Sequence, residues 1–94
     1  SCRITNCFGK QGGSVASYFC DDTIKISYCH FLDNTAGNGG AVGNWDTDPI
    51  ISFCVFENNF ADESIHTDWG MGGAIFNWGG GSTTKTINCT FINN

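Results

Sequence analysis

The feature that most constrains this chain is a seven-residue phrase that returns. GGAIFNW at 72–78 is nearly repeated as GGAVGNW at 39–45 and more loosely as GGSVASY at 12–18. A second motif alternates with it: FLDN at 31–34, FENN at 56–59 and FINN at 91–94, each with a cysteine two residues before its phenylalanine. Two short motifs alternating three times in 94 residues describe one repeating unit.

The spacing of the unit selects the architecture. Gly12, Gly39 and Gly72 stand 27 and 33 residues apart, and Cys7, Cys29, Cys54 and Cys89 stand 22, 25 and 35 apart. No window places apolar residues at i, i+3, i+4 and i+7, glycine is abundant, and Val, Ile, Thr and Phe fill the candidate strands, so helical-pair repeats are poorly supported. The best fit is all-β: a parallel β-helix, or β-solenoid, of about three coils. Residues 1–94 form a single domain, with a degenerate first coil at 1–23 and clearer repeats at 24–94.

Coils stacked about 4.8 Å apart place equivalent residues in columns. Phe31, Phe56 and Phe91 are expected to stack inside, with Cys7, Cys29, Cys54 and Cys89 beside them. Val15, Val42 and Ile75 form a second core column. Asn34, Asn59 and Asn94 form a ladder, asparagine being tolerant of left-handed backbone. Gly12, Gly13, Gly39, Gly40, Gly72 and Gly73 are corner glycines, giving positive φ and close approach between coils. The segments 35–38 and 60–71 differ in length and mark the insertion-tolerant loop.

Period-two alternation is clear in IKISYCHF at 24–31. It puts Cys29 and Phe31 on one face with Ser27, and Ile24, Ile26, Tyr28 and His30 on the other. IISFCVF at 50–56 repeats this, with Cys54 and Phe56 opposite Ile51, Phe53 and Val55. Such strands are covered on both sides or expose an aromatic patch.

Composition narrows the partners. Four basic against nine acidic residues give a net charge of −5, which offers no footprint to a phosphate backbone and excludes nucleic acid. Apolar runs of about four residues cannot span a membrane, and no charged segment precedes an apolar one as in a signal peptide. A chain beginning at Ser1 without Met is expected to have been processed or cut from something longer. Of six cysteines, the four in register read as core positions, while Cys2 and Cys20 fall outside it and are the candidate disulfide pair, connectivity being unfixed by sequence. The start, with ITNCF, and the end, with TINCTF, occupy the same part of the repeat, and neither looks like a cap, so something must cover both ends.

The F-x-x-N and GGA[ILV] tetrapeptides, from about residue 24 to 94, resemble the repeat of polymorphic outer membrane proteins, typical of chlamydial surface autotransporters. Residues 1–19 depart from it, having GGSV but no F-x-x-N after Cys7, and no translocator segment is present. The resemblance implies a right-handed parallel β-helix in an extracellular or cell-surface stalk or adhesive passenger.

Candidate chemistry is sparse. Tyr18, Trp45 and Trp78 share one repeat position and would line up as an aromatic column, either a sugar platform or simple packing, with packing the commoner use. Trp69, in the long loop, is a freer contact candidate. Asp46, Asp48, Asp62 and Asp68 could be drawn as calcium ligands, but their spacing matches no calcium loop, and a solvated acidic loop is the plainer reading. His30 and His66 have no nucleophile motif beside them. Asn88-Cys89-Thr90 satisfies the N-glycosylation sequon, with Asn88 facing out. The expectation is a non-enzymatic, cofactor-free structural or adhesive solenoid that stacks end to end with copies of itself or continues into further repeats. The alternative is a β-helix that binds or cleaves glycans, such as those of a host surface, with its exposed Trp and Asp residues.

Overall fold

The computed structural model describes residues 2–19, 24–65, 70–79 and 83–94. Among them all regular structure is β, in thirteen strands of two to four residues, every pairing parallel. Sheet I holds β1 (Cys2–Thr5), β5 (Cys29–Leu32), β9 (Val55–Glu57) and β13 (Thr90–Ile92). Sheet II holds β2 (Phe8–Gln11), β6 (Thr35–Asn38) and β10 (Phe60–Ala61). Sheet III holds β3 (Val15–Tyr18), β7 (Val42–Trp45) and β11 (Ile75–Trp78), and sheet IV holds β4 (Lys25–Ser27), β8 (Ile50–Ser52) and β12 (Lys85–Ile87). Each strand pairs with the one four elements later, so the chain runs in four-sided coils laid one on the next. The shortest dimension, 16 Å of 31 × 29 × 16 Å, suits three ladder spacings of about 4.8 Å.

The corners explain how such short strands turn. A residue with positive φ stands at each: Tyr28, Phe53 and Asn88 between sheets IV and I, Asn6, Asp33, Asn58 and Asn93 after sheet I, and Phe19, Asp46 and Gly79 after sheet III. Gly12, Gly39 and Gly72 do the same between II and III. At Gly39 (φ 64°) a Cβ would also run into the Val42 carbonyl, and at Gly40 one would run into the Gly73 carbonyl of the next coil, so the Gly-Gly pair is required twice over.

These corners correct the reading of 24–31 as one alternating strand. The left-handed residue Tyr28 breaks it into β4 and β5 and resets the alternation, so Ile26 before the corner and Phe31 after it both reach the core. The apparent apolar character of both faces was the signature of a bend.

Inside, Phe31 and Phe56 are wholly buried and stack at 4.8 Å with 5° between ring planes, and Phe91 stacks on Phe56 at 5.0 Å and 6°. Ala41, Val42, Ile51 and Cys54 complete the core between them. The asparagines run beside this column as a ladder. The Asn34 backbone N–H and Nδ2 donate to Asn59 Oδ1 at 3.1 and 3.0 Å, and those of Asn59 donate to Asn94 Oδ1 at 3.0 and 2.8 Å. Each Nδ2 also donates to a backbone carbonyl one coil back: Ile4, Phe31 and Phe56 in turn.

The first coil corrects the register drawn from the Cys-Phe pairs. Cys2 is the partner of Cys29, and Ile4 that of Phe31, so the cysteine column is Cys2, Cys29, Cys54 and Cys89. Cys7 instead falls in the asparagine column, its N–H donating to Asn34 Oδ1 at 3.0 Å. The first coil thus has its phenylalanine-asparagine position after all, filled by Ile4 and Cys7. The column thiols donate to carbonyls two residues back, Cys29 to Ser27 at 3.3 Å, Cys54 to Ser52 at 3.2 Å and Cys89 to Ile87 at 3.4 Å, and so close the corner between sheets IV and I.

Candidate functional site

Sheet III carries the residues first singled out. Its inner face passes from the apolar column of Val15, Val42 and Ile75 to a polar one two residues on: Ser17 donates to Asn44 Oδ1 at 2.8 Å, and Asn44 Nδ2 donates to Asn77 Oδ1 at 2.9 Å. Alternation then sends Tyr18, Trp45 and Trp78 outward in register. The middle of that column is used in packing. Trp45 is 8% exposed, its ring folded over Gly43, stacked on Tyr18 at 4.9 Å and tilted against Phe76 at 5.4 Å. Tyr18 and Trp78 are each about half exposed. Trp69 lies outside the described residues, as do Asp68 and His66.

The acidic candidates are spread apart and used locally. Asp46 is a corner residue, Asp48 accepts the Thr83 N–H at 2.6 Å, and Asp62 accepts the N–H and hydroxyl of Ser64 at 2.9 and 2.7 Å. The Ser64 bonds hold the Asp62 carboxyl below its usual range. No group of three or more metal-ligating side chains exists among the described residues.

Cys2, Cys7, Cys29, Cys54 and Cys89 are free thiols, and Cys20, the expected partner of Cys2, lies outside the described residues. Burial, followed by a hydrogen bond with Cys2, pushes the Cys29 thiol from 9.0 up to about 11. Burial raises Cys54 as well. Thiols held neutral in this way are weak nucleophiles, and Cys29 and Cys54 serve packing.

The corner between sheets IV and I brings together residues that lie a full coil apart in the sequence. Tyr28 and Phe53 stack at 5.0 Å with 4° between planes, yet are 59% and 47% exposed. Both hold left-handed backbone, with φ of 54° and 52°, a conformation costing a non-glycine residue about 1–2 kcal/mol. Asn88, the exposed residue of the sequon, fills the same corner one coil on. Beside the rings, on the outer face of sheet I, Arg3 is the register partner of His30, and His30 Nε2 lies 3.0 Å from Glu57 Oε2. Arg3, Tyr28, His30, Phe53 and Val55 line an open groove of about 350 Å³ that also touches Cys2 and Cys29. Setting SCRI, YCHF, FCVF and NCTF against one another on their cysteines puts the aromatic residues opposite asparagine and Arg3 beside His30. A smaller hollow of about 240 Å³ is lined by Asp48, Ile50, Thr83 and Lys85.

Comparison with protein-family models, with curated proteins and with solved structures found no match.

Proposed function

We propose that this chain is an extracellular structural or adhesive β-solenoid, a right-handed parallel β-helix that serves as one segment of a stalk or filament and is lengthened coil by coil. The observation that carries the reading is the contrast within one column: Phe31 and Phe56 are 0% exposed, whereas Phe91, at the same register position, is 50% exposed. The strands of that last coil, β12 and β13, are exposed at every residue. A further coil would cover them. Placement at the cell surface, and the hand of the helix, rest on the F-x-x-N and GGA[ILV] motifs and their resemblance to surface-protein repeats.

Of the two ways to cover the last coil, further repeats fit better than a second copy. Among the described residues sheet I has four strands and each other sheet three. A copy seated with its β1 on β13 would leave one strand missing from sheets II, III and IV at the junction, and its Cys7 would offer no amide oxygen to Asn94. A repeat bearing asparagine at that position has neither fault.

The test follows from the 25-residue spacing of Asn34 and Asn59. Appending a copy of residues 35–59 after Asn94 adds one strand to every sheet. The extended chain is expected to unfold at higher urea, by about 1 kcal/mol or more from covering Phe91, and to lengthen by about 4.8 Å per added coil in solution scattering. An appended segment that stays unfolded, or brings no added stability, contradicts the reading.

A further inference from the structure

We propose that the groove between the Tyr28–Phe53 stack and the outer face of sheet I binds an acidic oligosaccharide, one built of uronate sugars. The inference is independent of how the last coil is covered.

It begins from two choices at one corner that folding alone disfavours. The corner needs left-handed backbone, which asparagine accepts readily and which Asn88 supplies in the last coil. In the two preceding coils the position holds Tyr28 and Phe53, bulky residues for which that backbone is an outlier. The rings are not drawn into the core in compensation, for both stay about half exposed. Strain together with exposed apolar surface points to a surface used for contact. Flat aromatic surface of this kind suits the C–H face of a pyranose ring.

Charge specifies the ligand further. The chain is acidic overall, yet the ionisable groups on the outer face of sheet I are Arg3, His30 and Glu57, and Glu57 is already bonded to His30. Among the described residues Arg3 has no ion-pair partner, which leaves an unneutralised guanidinium at the groove, suited to a carboxylate by its planar fork. A peptide is the poorer occupant. Of the strands that floor the groove, β5 and β9 are paired on both sides and only the outer edge of β1 is open, so across the face itself a peptide meets side chains rather than main-chain partners.

The probe is hexagalacturonate, titrated into the chain by calorimetry beside its fully methyl-esterified form, which keeps the shape and removes the charge. Saturable binding of the acid form is expected, with affinity at least tenfold lower for the ester and for the Arg3→Ala variant. The paired substitution Tyr28→Asn and Phe53→Asn is expected to lower affinity at least tenfold without lowering the urea midpoint, because asparagine already occupies this corner. Should that variant fail to fold, the exposed Arg3→Ala decides the question. No binding of the acid form at millimolar concentration, equal binding of the ester, or affinity indifferent to these substitutions overturns the proposal.

Discussion

Phe56 and Phe91 are the same residue at the same place in successive coils, and both stack ring on ring with the phenylalanine before them. One is sealed and the other half open. The difference lies in what sits above each strand, so a coil owes its stability to its neighbours more than to its own sequence. That is the energetic pattern of a quasi-one-dimensional repeat, in which interfaces between adjacent units carry much of the folding energy.

The comparison can be broken most forcefully at the phenylalanines. Phe56→Ala is expected to cost about 3–5 kcal/mol in urea unfolding, since it empties a site packed on both sides, whereas Phe91→Ala should cost less than half as much. Equal losses would mean that the last coil is as well covered as the middle ones.

The asparagine ladder offers the next largest effect. Asn59→Ala removes an acceptor serving two donors of Asn34 and should cost about 3 kcal/mol by leaving buried polar groups unpaired. Asn94→Ala, with solvent close by, should cost about 1 kcal/mol. The same equilibrium unfolding measurements read both.

Alkaline pH sharpens the comparison through the thiols. Cys29 titrates at about 11 in the folded chain against 9.0 ordinarily, so the unfolded chain loses its proton first. The stability that Cys29 contributes is whole below pH 9, and falls as pH rises from 9 towards 11, with Cys54 shifted in the same direction. Cys29→Ala should flatten this decline in the unfolding midpoint. Exposed Cys2 should also be alkylated at least tenfold faster than buried Cys54, as read by mass spectrometry.

The smallest effect is expected at the corner itself. Phe53→Asn should leave stability within about 1 kcal/mol of the parent, relief of left-handed strain offsetting the lost ring stack. A loss of several kcal/mol would show that the ring is a structural prop.

Much of the fold could be read from the chain because its repeats are in register with its strands. The phenylalanine, valine and asparagine columns follow directly from the alternating tetrapeptides. What escaped were features that depend on where the chain bends. The left-handed corner at Tyr28 looks like any aromatic position in an alternating strand, since sequence gives no sign that the period restarts there. In the first coil the sequence misleads because ITNCF imitates TINCTF, while the true equivalents of phenylalanine and asparagine, Ile4 and Cys7, resemble them little. The groove escaped for the same reason: Arg3 and His30 are 27 residues apart and meet only when Cys2 is set against Cys29. Trp45 shows the opposite failing, because its column was legible but the glycine beneath it, Gly43, decides that the ring folds down.

The proposal that a further coil seats on β13 is tested most directly by amide hydrogen exchange compared between β9 and β13 in the dilute chain. Fast exchange in β13 against slow exchange in β9 is expected, with β13 slowing to the β9 level once a copy of residues 35–59 is appended. Protection of β13 equal to that of β9 in the unextended monomer would contradict it.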